Sequence, residues 1–134
     1  MINSRAKGAA NERKLRDELK RLFPNLSGNI RRGQQYCGID GQDVVGLPGV
    51  HIECKAQQKL SINNAIAQAV RDAKDGNVPA VFHKMNHKPW LVTVRLDDLL
   101  AFACKIFELQ ISEASRIFWE NGNGHEFDSV LGKG

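Results

Sequence analysis

No run in this 134-residue chain approaches the ~18 consecutive apolar residues that a membrane-spanning helix needs. No apolar leader core follows the N-terminus either, because Arg5 and Lys7 open a charged segment. The expectation is a cytoplasmic protein without a secretory leader. Cysteine is scarce: Cys37, Cys54 and Cys104 are odd in number and widely spaced, and read as reduced thiols rather than a disulfide framework. With no C-x-x-C, and with His83 and His87 falling on what reads as a strand and its turn, a structural zinc site is argued against. The chain shows no internal repeat and no low-complexity domain. Its length suits a modest hydrophobic core.

Charge is unevenly spread. Residues 1–95 carry 16 Lys and Arg against 8 Asp and Glu, whereas residues 96–134 carry 3 against 7. Three of the eight acids in the first stretch, Glu12, Asp43 and Glu53, belong to the candidate site described next. The surface around that site is therefore more basic than the sum suggests. Such a field favours a polyanionic partner and makes its binding salt-dependent.

The segment Asp43-Val44-Val45-Gly46-Leu47-Pro48-Gly49-Val50-His51-Ile52-Glu53-Cys54-Lys55 reads as a β-hairpin with a Leu-Pro-Gly turn. If Leu47, Pro48 and Gly49 form the loop, Gly46 pairs with Val50 and Val44 with Ile52. Asp43 then lies opposite Glu53, at a Cβ separation of roughly 4.5–5.5 Å on one face. Lys55, two residues beyond Glu53, shares that face. Val44, Ile52 and Cys54 point the other way, into a core, while His51 and Val45 lie on the charged face, farther from the lysine. A two-residue loop would set Asp43 against Cys54 and break the cluster, so the chemistry depends on register. Without the correct register the same residues make only a solvated charged face.

A helix over residues 5–23, capped by Asn3 or Ser4 and ended by Pro24-Asn25, would carry Leu15, Leu19, Leu22 and Phe23 as its apolar stripe. Glu12 extends that stripe inward. Gly8, one turn earlier, leaves room for a backbone or a ligand. A first strand over 29–35 brings Arg31 and Arg32, followed by a glycine-rich loop over 36–42 with Asp40 as a possible substitute for Asp43. Ser61 caps a second helix over 62–75, with Ile62, Ile66, Ala69, Val70 and Ala73 buried and Gln68 and Arg71 facing out. Strands follow over 78–84 and 89–95. Their connecting turn is basic, with His83, Lys84, His87 and Lys88 near Trp90. A third helix over 97–109 is apolar on more than one side, which motivates a homodimer. Ile111, Ile117, Phe118 and Trp119 continue that apolar content, and a loosely held tail is expected from residue 121. The order is α-β-β-β-α-β-β-α: an α/β fold with a mixed central sheet flanked by helices.

With Glu12, Asp43 and Glu53-Cys54-Lys55 in this order, the chain resembles the PD-(D/E)XK nuclease superfamily. Its Holliday junction resolvase-like branch, and small phage and prophage endonucleases in particular, look most similar. The resemblance covers about residues 4–108. It rests on Ser4-Arg5-Ala6-Lys7-Gly8 with Glu12, on Arg32-Gly33-Gln34-Gln35, on Gly41 to Gly49 and on His51 to Lys55. Ala67-Gln68-Ala69, Pro79 and Lys88-Pro89-Trp90-Leu91-Val92 add to it. The usual proline before the aspartate is Gln42 here. Gln68 does not begin a Gln-x-x-x-Tyr pattern, since Asp72 stands at the tyrosine position.

The resemblance implies a restriction-endonuclease-like core over residues 1–109; residues 110–134, to which it does not extend, read as a C-terminal helix and flexible tail. It implies Mg²⁺- or Mn²⁺-dependent hydrolysis of DNA phosphodiesters, leaving 5′-phosphate and 3′-hydroxyl ends, in the host cytoplasm if the chain is phage-encoded. Asp43, Glu53 and the Cys54 carbonyl would hold the metal. Glu12 would orient water or help hold a second ion, and Lys55 would position the attacking water. Arg5, Lys7, Arg31, Arg32 and Lys59 are candidate phosphate contacts. The substrate class implied is branched DNA, a four-way junction above all. The alternatives are the same chemistry on flaps, nicks or duplex sites, or a non-catalytic DNA-binding phage module on the same scaffold.

Overall fold

In the computed structural model, helix α1 (Ser4–Leu22) buries Leu15 and Leu19 one turn apart, and Phe23 extends the same line past its end. Leu22, expected on that stripe, is instead 52% exposed. One residue per turn already fills the inward line, so its neighbour rotates out. Pro24 has no amide proton to continue the helix, and a 3₁₀ turn over Pro24–Leu26 redirects the chain. The structure describes residues 4–33 and 42–120, without the side chains of residues 4, 5 and 111–120. Cys37, Asp40 and most of the glycine-rich loop lie outside the described residues, as does the tail from residue 121.

Five strands follow: β1 (Arg31–Arg32), β2 (Val44–Val45), β3 (Val50–Ala56), β4 (Val78–Lys84) and β5 (Leu91–Thr93). Helix α2 (Ile62–Asp72) joins β3 to β4, and α3 (Leu99–Glu120) ends the described chain. The strands lie side by side in sequence order. β1–β2, β2–β3 and β4–β5 pair antiparallel, whereas β3 and β4 run parallel. The sheet is mixed, and the element order is the one read from the sequence. Only a crossover such as α2 can return the chain for a parallel partner.

The central strands are buried at their N-terminal ends and emerge into solvent at their C-terminal ends. Val50, Ile52, Ala80, Val81 and Phe82 form the middle of the core, with Leu15, Leu19, Phe23, Ile30, Val44 and Leu47 around them. Each such large aliphatic or aromatic side chain contributes about 1.5–3 kcal/mol on burial. Helix α2 packs Ala65 and Ala69 onto Val81, with Leu60, Ile62 and Ile66 at the margin. Val70, expected in its buried stripe, is exposed.

The outer elements depart most from expectation. β1 and β5 are shorter than the runs 29–35 and 89–95. Helix α3 begins two residues later than expected, after a 3₁₀ turn over Leu96–Asp98, and runs to Glu120 rather than 109. No glycine or proline interrupts residues 99–120, so nothing in the chain stops the helix at 109. The chain divides into two compact units, Met1–Phe102 and Ala103–Gly134. No described helix is long and apolar enough to cross a membrane.

Candidate active site

The hairpin β2–β3 sets the site. Val44 faces Ile52, the pairing that a Leu47-Pro48-Gly49 loop requires. Val50 N–H donates to the Leu47 carbonyl at 3.1 Å to close the turn. Gly46 has φ of 119° and Gly49 of 84°, values that suit glycine alone. A Cβ on Gly46 would stand 2.5 Å from the Asn29 carbonyl oxygen. The loop preceding β1 therefore seats directly on the hairpin at that glycine.

Beyond Val44 the ladder is completed partly by side chains. Asp43 N–H donates to the Ile52 carbonyl at 3.1 Å, and Asp43 Oδ2 accepts from Cys54 N–H at 2.8 Å. Gln42, where the family pattern has proline, contributes its own amide oxygen, which accepts from Ile52 N–H at 3.3 Å. These bonds fix the Asp43 carboxyl against the start of Glu53-Cys54-Lys55. The Asp43 and Glu53 carboxyls are neighbours across the hairpin, close enough for each to feel the other's charge. Burial, then the adjacent Glu53 charge and the Glu12 charge, push Asp43 up to about 7.

Glu53 is fully buried. Its Oε1 accepts from His51 Nε2 at 3.0 Å, while its Oε2 and His51 Nδ1 are buried without a hydrogen-bond partner. His51 and Glu53 lie two residues apart on one face of β3, the face whose β4 neighbour Val81 is covered by α2.

A cleft of about 410 Å³ opens at Asp43, and the buried Glu53 and His51 lie behind its lining. Lys7, Gly8, Asn11 and Glu12 wall it from α1, Asp43, Cys54 and Lys55 from the hairpin, and Gln68 from α2. Glu12, 7% exposed, meets Arg32 Nε at 3.3 Å. Of the expected phosphate contacts, Lys7 lines the cleft. Arg32 is engaged by Glu12, Arg31 and Lys59 are exposed away from the cleft lining, and the Arg5 side chain lies outside the described residues.

Two placements correct the expectations. Cys54 does not point into the core: it is half-buried and lines the cleft, and burial together with the Asp43 and Glu12 charges pushes its thiol up to about 12. Gln68, expected on the outer side of its helix, also lines the cleft. It stands three residues after the buried Ala65, at the margin of the apolar stripe, and counting from Ala65 rather than Ile62 would have placed it there. His51 was legible as a neighbour of Glu53 on the same face, but its bond to that carboxylate was not.

Among the described residues, no three His, Cys, Asp or Glu side chains form a ready-made metal cage. The donor set is a pair of carboxyls with a backbone carbonyl nearby. Hard divalent cations that keep several of their waters need no more than one or two protein carboxylates. The unpartnered Glu53 Oε2 and the close approach of the two carboxyls both fit such a cation: the first lacks a partner, and the second gathers negative charge where positive charge is needed.

No curated protein and no solved structure matches this chain. Residues 3–131 match a family described as phage putative PDDEXK endonuclease. The match spans nearly the whole chain, and the five-stranded mixed sheet flanked by helices is consistent with a restriction-endonuclease-like fold: the protein belongs to the phage PDDEXK endonuclease family.

Proposed function

We propose that this chain is a Mg²⁺-dependent endodeoxyribonuclease that resolves four-way DNA junctions as a homodimer. The observation that carries the reading is the Asp43–Glu53 carboxyl pair, set by the hairpin register at the edge of a cleft that also holds Lys55. PD-(D/E)XK nucleases generally use divalent metals. Asp43, Glu53 and the Cys54 carbonyl would hold the ion, with Glu12 as a further carboxylate at the cleft. When bound, the cation offsets the paired negative charges and makes water a better nucleophile at neutral pH.

The remaining steps belong to the chain's own residues. Lys55 positions the attacking water and offsets charge developing on the phosphate. Glu12, held by Arg32, orients water from the α1 side. Lys7 sits on the cleft wall as a phosphate contact, and Gln68 supplies an amide that can donate to a phosphate oxygen. The leaving strand ends in a 3′-hydroxyl and the other product carries the 5′-phosphate.

Symmetric cutting of a junction needs two sites related by a two-fold axis. The reading draws support from exposed apolar residues around the sheet edge: Leu91 and Val92 on β5, then Leu96, Leu99 and Leu100. A cleavage panel with Mg²⁺, using four-way junctions, flaps, nicked duplex and single strands, tests the substrate. Asp43→Asn and Lys55→Ala are expected to abolish nicking while junction binding survives. Full cleavage by both variants would reject the assignment. Junctions cut no faster than duplex would reject the substrate.

A further inference from the structure

A histidine and a glutamate buried together in a sheet core are expensive unless every polar atom is matched. His51 and Glu53 match only one atom each: Nε2 meets Oε1 at 3.0 Å, and Nδ1 and Oε2 are left buried and unpartnered. The neighbours Val50 and Ile52 show what this strand uses where packing alone decides. An aliphatic residue at position 51, beside Pro79 on β4, would fill the space without an orphaned nitrogen.

The bond has a directional consequence. In this contact the imidazole N–H at Nε2 is the donor and Oε1 the acceptor, and the bond fixes the carboxyl plane. One oxygen is then engaged and the other is not. Asp43 approaches from β2 with its Oδ2 held by the Cys54 amide, so both carboxyls of the pair are anchored through one oxygen or the adjoining strand. Preorganisation of this kind, through a partner that touches the ligand residue rather than the ion, governs how tightly a site holds a metal.

We propose that His51 is a positioning residue. Its Nε2–H locks Glu53 through Oε1 and reserves Oε2 for the divalent cation. The inference rests on the metal-site reading above, and it assigns to His51 a role in metal affinity rather than in DNA binding.

The test measures Mn²⁺ affinity of the full-length protein without DNA, by electron paramagnetic resonance titration, for wild type, His51→Leu, His51→Gln and Asp43→Asn. His51→Leu keeps the bulk and removes the donor, and is expected to weaken Mn²⁺ binding roughly 10- to 100-fold. His51→Gln, whose amide can donate to the same oxygen, is expected to recover most of that loss. Metal-free junction binding, read by fluorescence anisotropy, is expected to stay unchanged in both. Wild-type Mn²⁺ affinity in His51→Leu would overturn the proposal, as would equal losses in the Leu and Gln variants.

A second measurement does not depend on any variant folding. Imidazole ¹⁵N shifts of the wild-type protein are expected to show the Nε2-protonated ring, and to keep that proton when Mg²⁺ saturates the site. A ring protonated at Nδ1 alone, or one whose Nε2 loses its proton to direct metal ligation, would overturn the role. Asp43→Asn separates the two readings. If it binds Mn²⁺ like wild type, the metal site itself fails. If it loses Mn²⁺ while His51→Leu does not, only the positioning role fails.

Discussion

Asp43 stands under strong electrostatic tension. Its carboxyl is packed against Glu53, within the field of Glu12, in surroundings that push it from an ordinary 3.8 up to about 7. Between those two pH values the folded, metal-free protein holds a proton that the unfolded chain has already released. Stability therefore falls as pH rises through that window, and every tenfold difference in proton affinity between the two states is worth about 1.4 kcal/mol. In EDTA, wild type is expected to lose up to a few kcal/mol in urea unfolding between pH 5 and pH 8. Asp43→Asn is expected to lose much less, and to be the more stable of the two at pH 8. Parallel pH profiles for the two proteins would contradict this account. The same residue shows what a sequence can disclose. Asp43, Glu53 and Lys55 were legible because hairpin register is simple arithmetic. The Arg32–Glu12 pairing and the His51–Glu53 bond were not, since each depends on side-chain packing that spacing does not encode. Gln42 is instructive too: where the family pattern places proline, this chain uses a side-chain oxygen to complete the strand edge.

Among the elements, the β2–β3 hairpin is the most tightly specified. Gly46 combines a φ of 119° with a backbone contact that no Cβ can occupy. Gly46→Ala is expected to destabilise the fold by about 2 kcal/mol or more, read as a lower urea midpoint with an unchanged slope. An alanine variant that unfolds like wild type would show that the loop before β1 can move away freely. The elements flanking the hairpin follow the sequence less closely. Strand identity was legible wherever β-branched runs ended at turn residues, as in β4, whose bounds Val78–Lys84 match the expected run. β1 and β5 shrink because edge strands have one partner, and pairing stops where that partner stops. The length of α3 was misjudged because apolar content is no guide to where a helix ends when no breaker is present.

On the scale of the whole molecule, charge is segregated along the chain, basic over residues 1–95 and acidic over residues 96–134. The basic first 95 residues include every described residue that lines the cleft and would attract a nucleic acid, with affinity falling as salt rises. The exposed leucines around β5, with Leu96 at 84% and Leu100 at 79% exposure, suit contact with a second copy. If they form the dimer, Leu96→Gln with Leu100→Gln is expected to sediment as a monomer at micromolar concentration. That variant should also turn coupled double cuts into single nicks. A wild-type monomer under the same conditions would remove this arrangement.

Among the described residues, every side chain lining the cleft comes from the stretch between Lys7 and Gln68, before the chain enters β4. Among the described residues, β4 and β5 contribute nothing to that lining. A substitution in β4 or β5 therefore reaches the cleft only through the packing behind it, as Val81 does beneath Ala65 and Ala69.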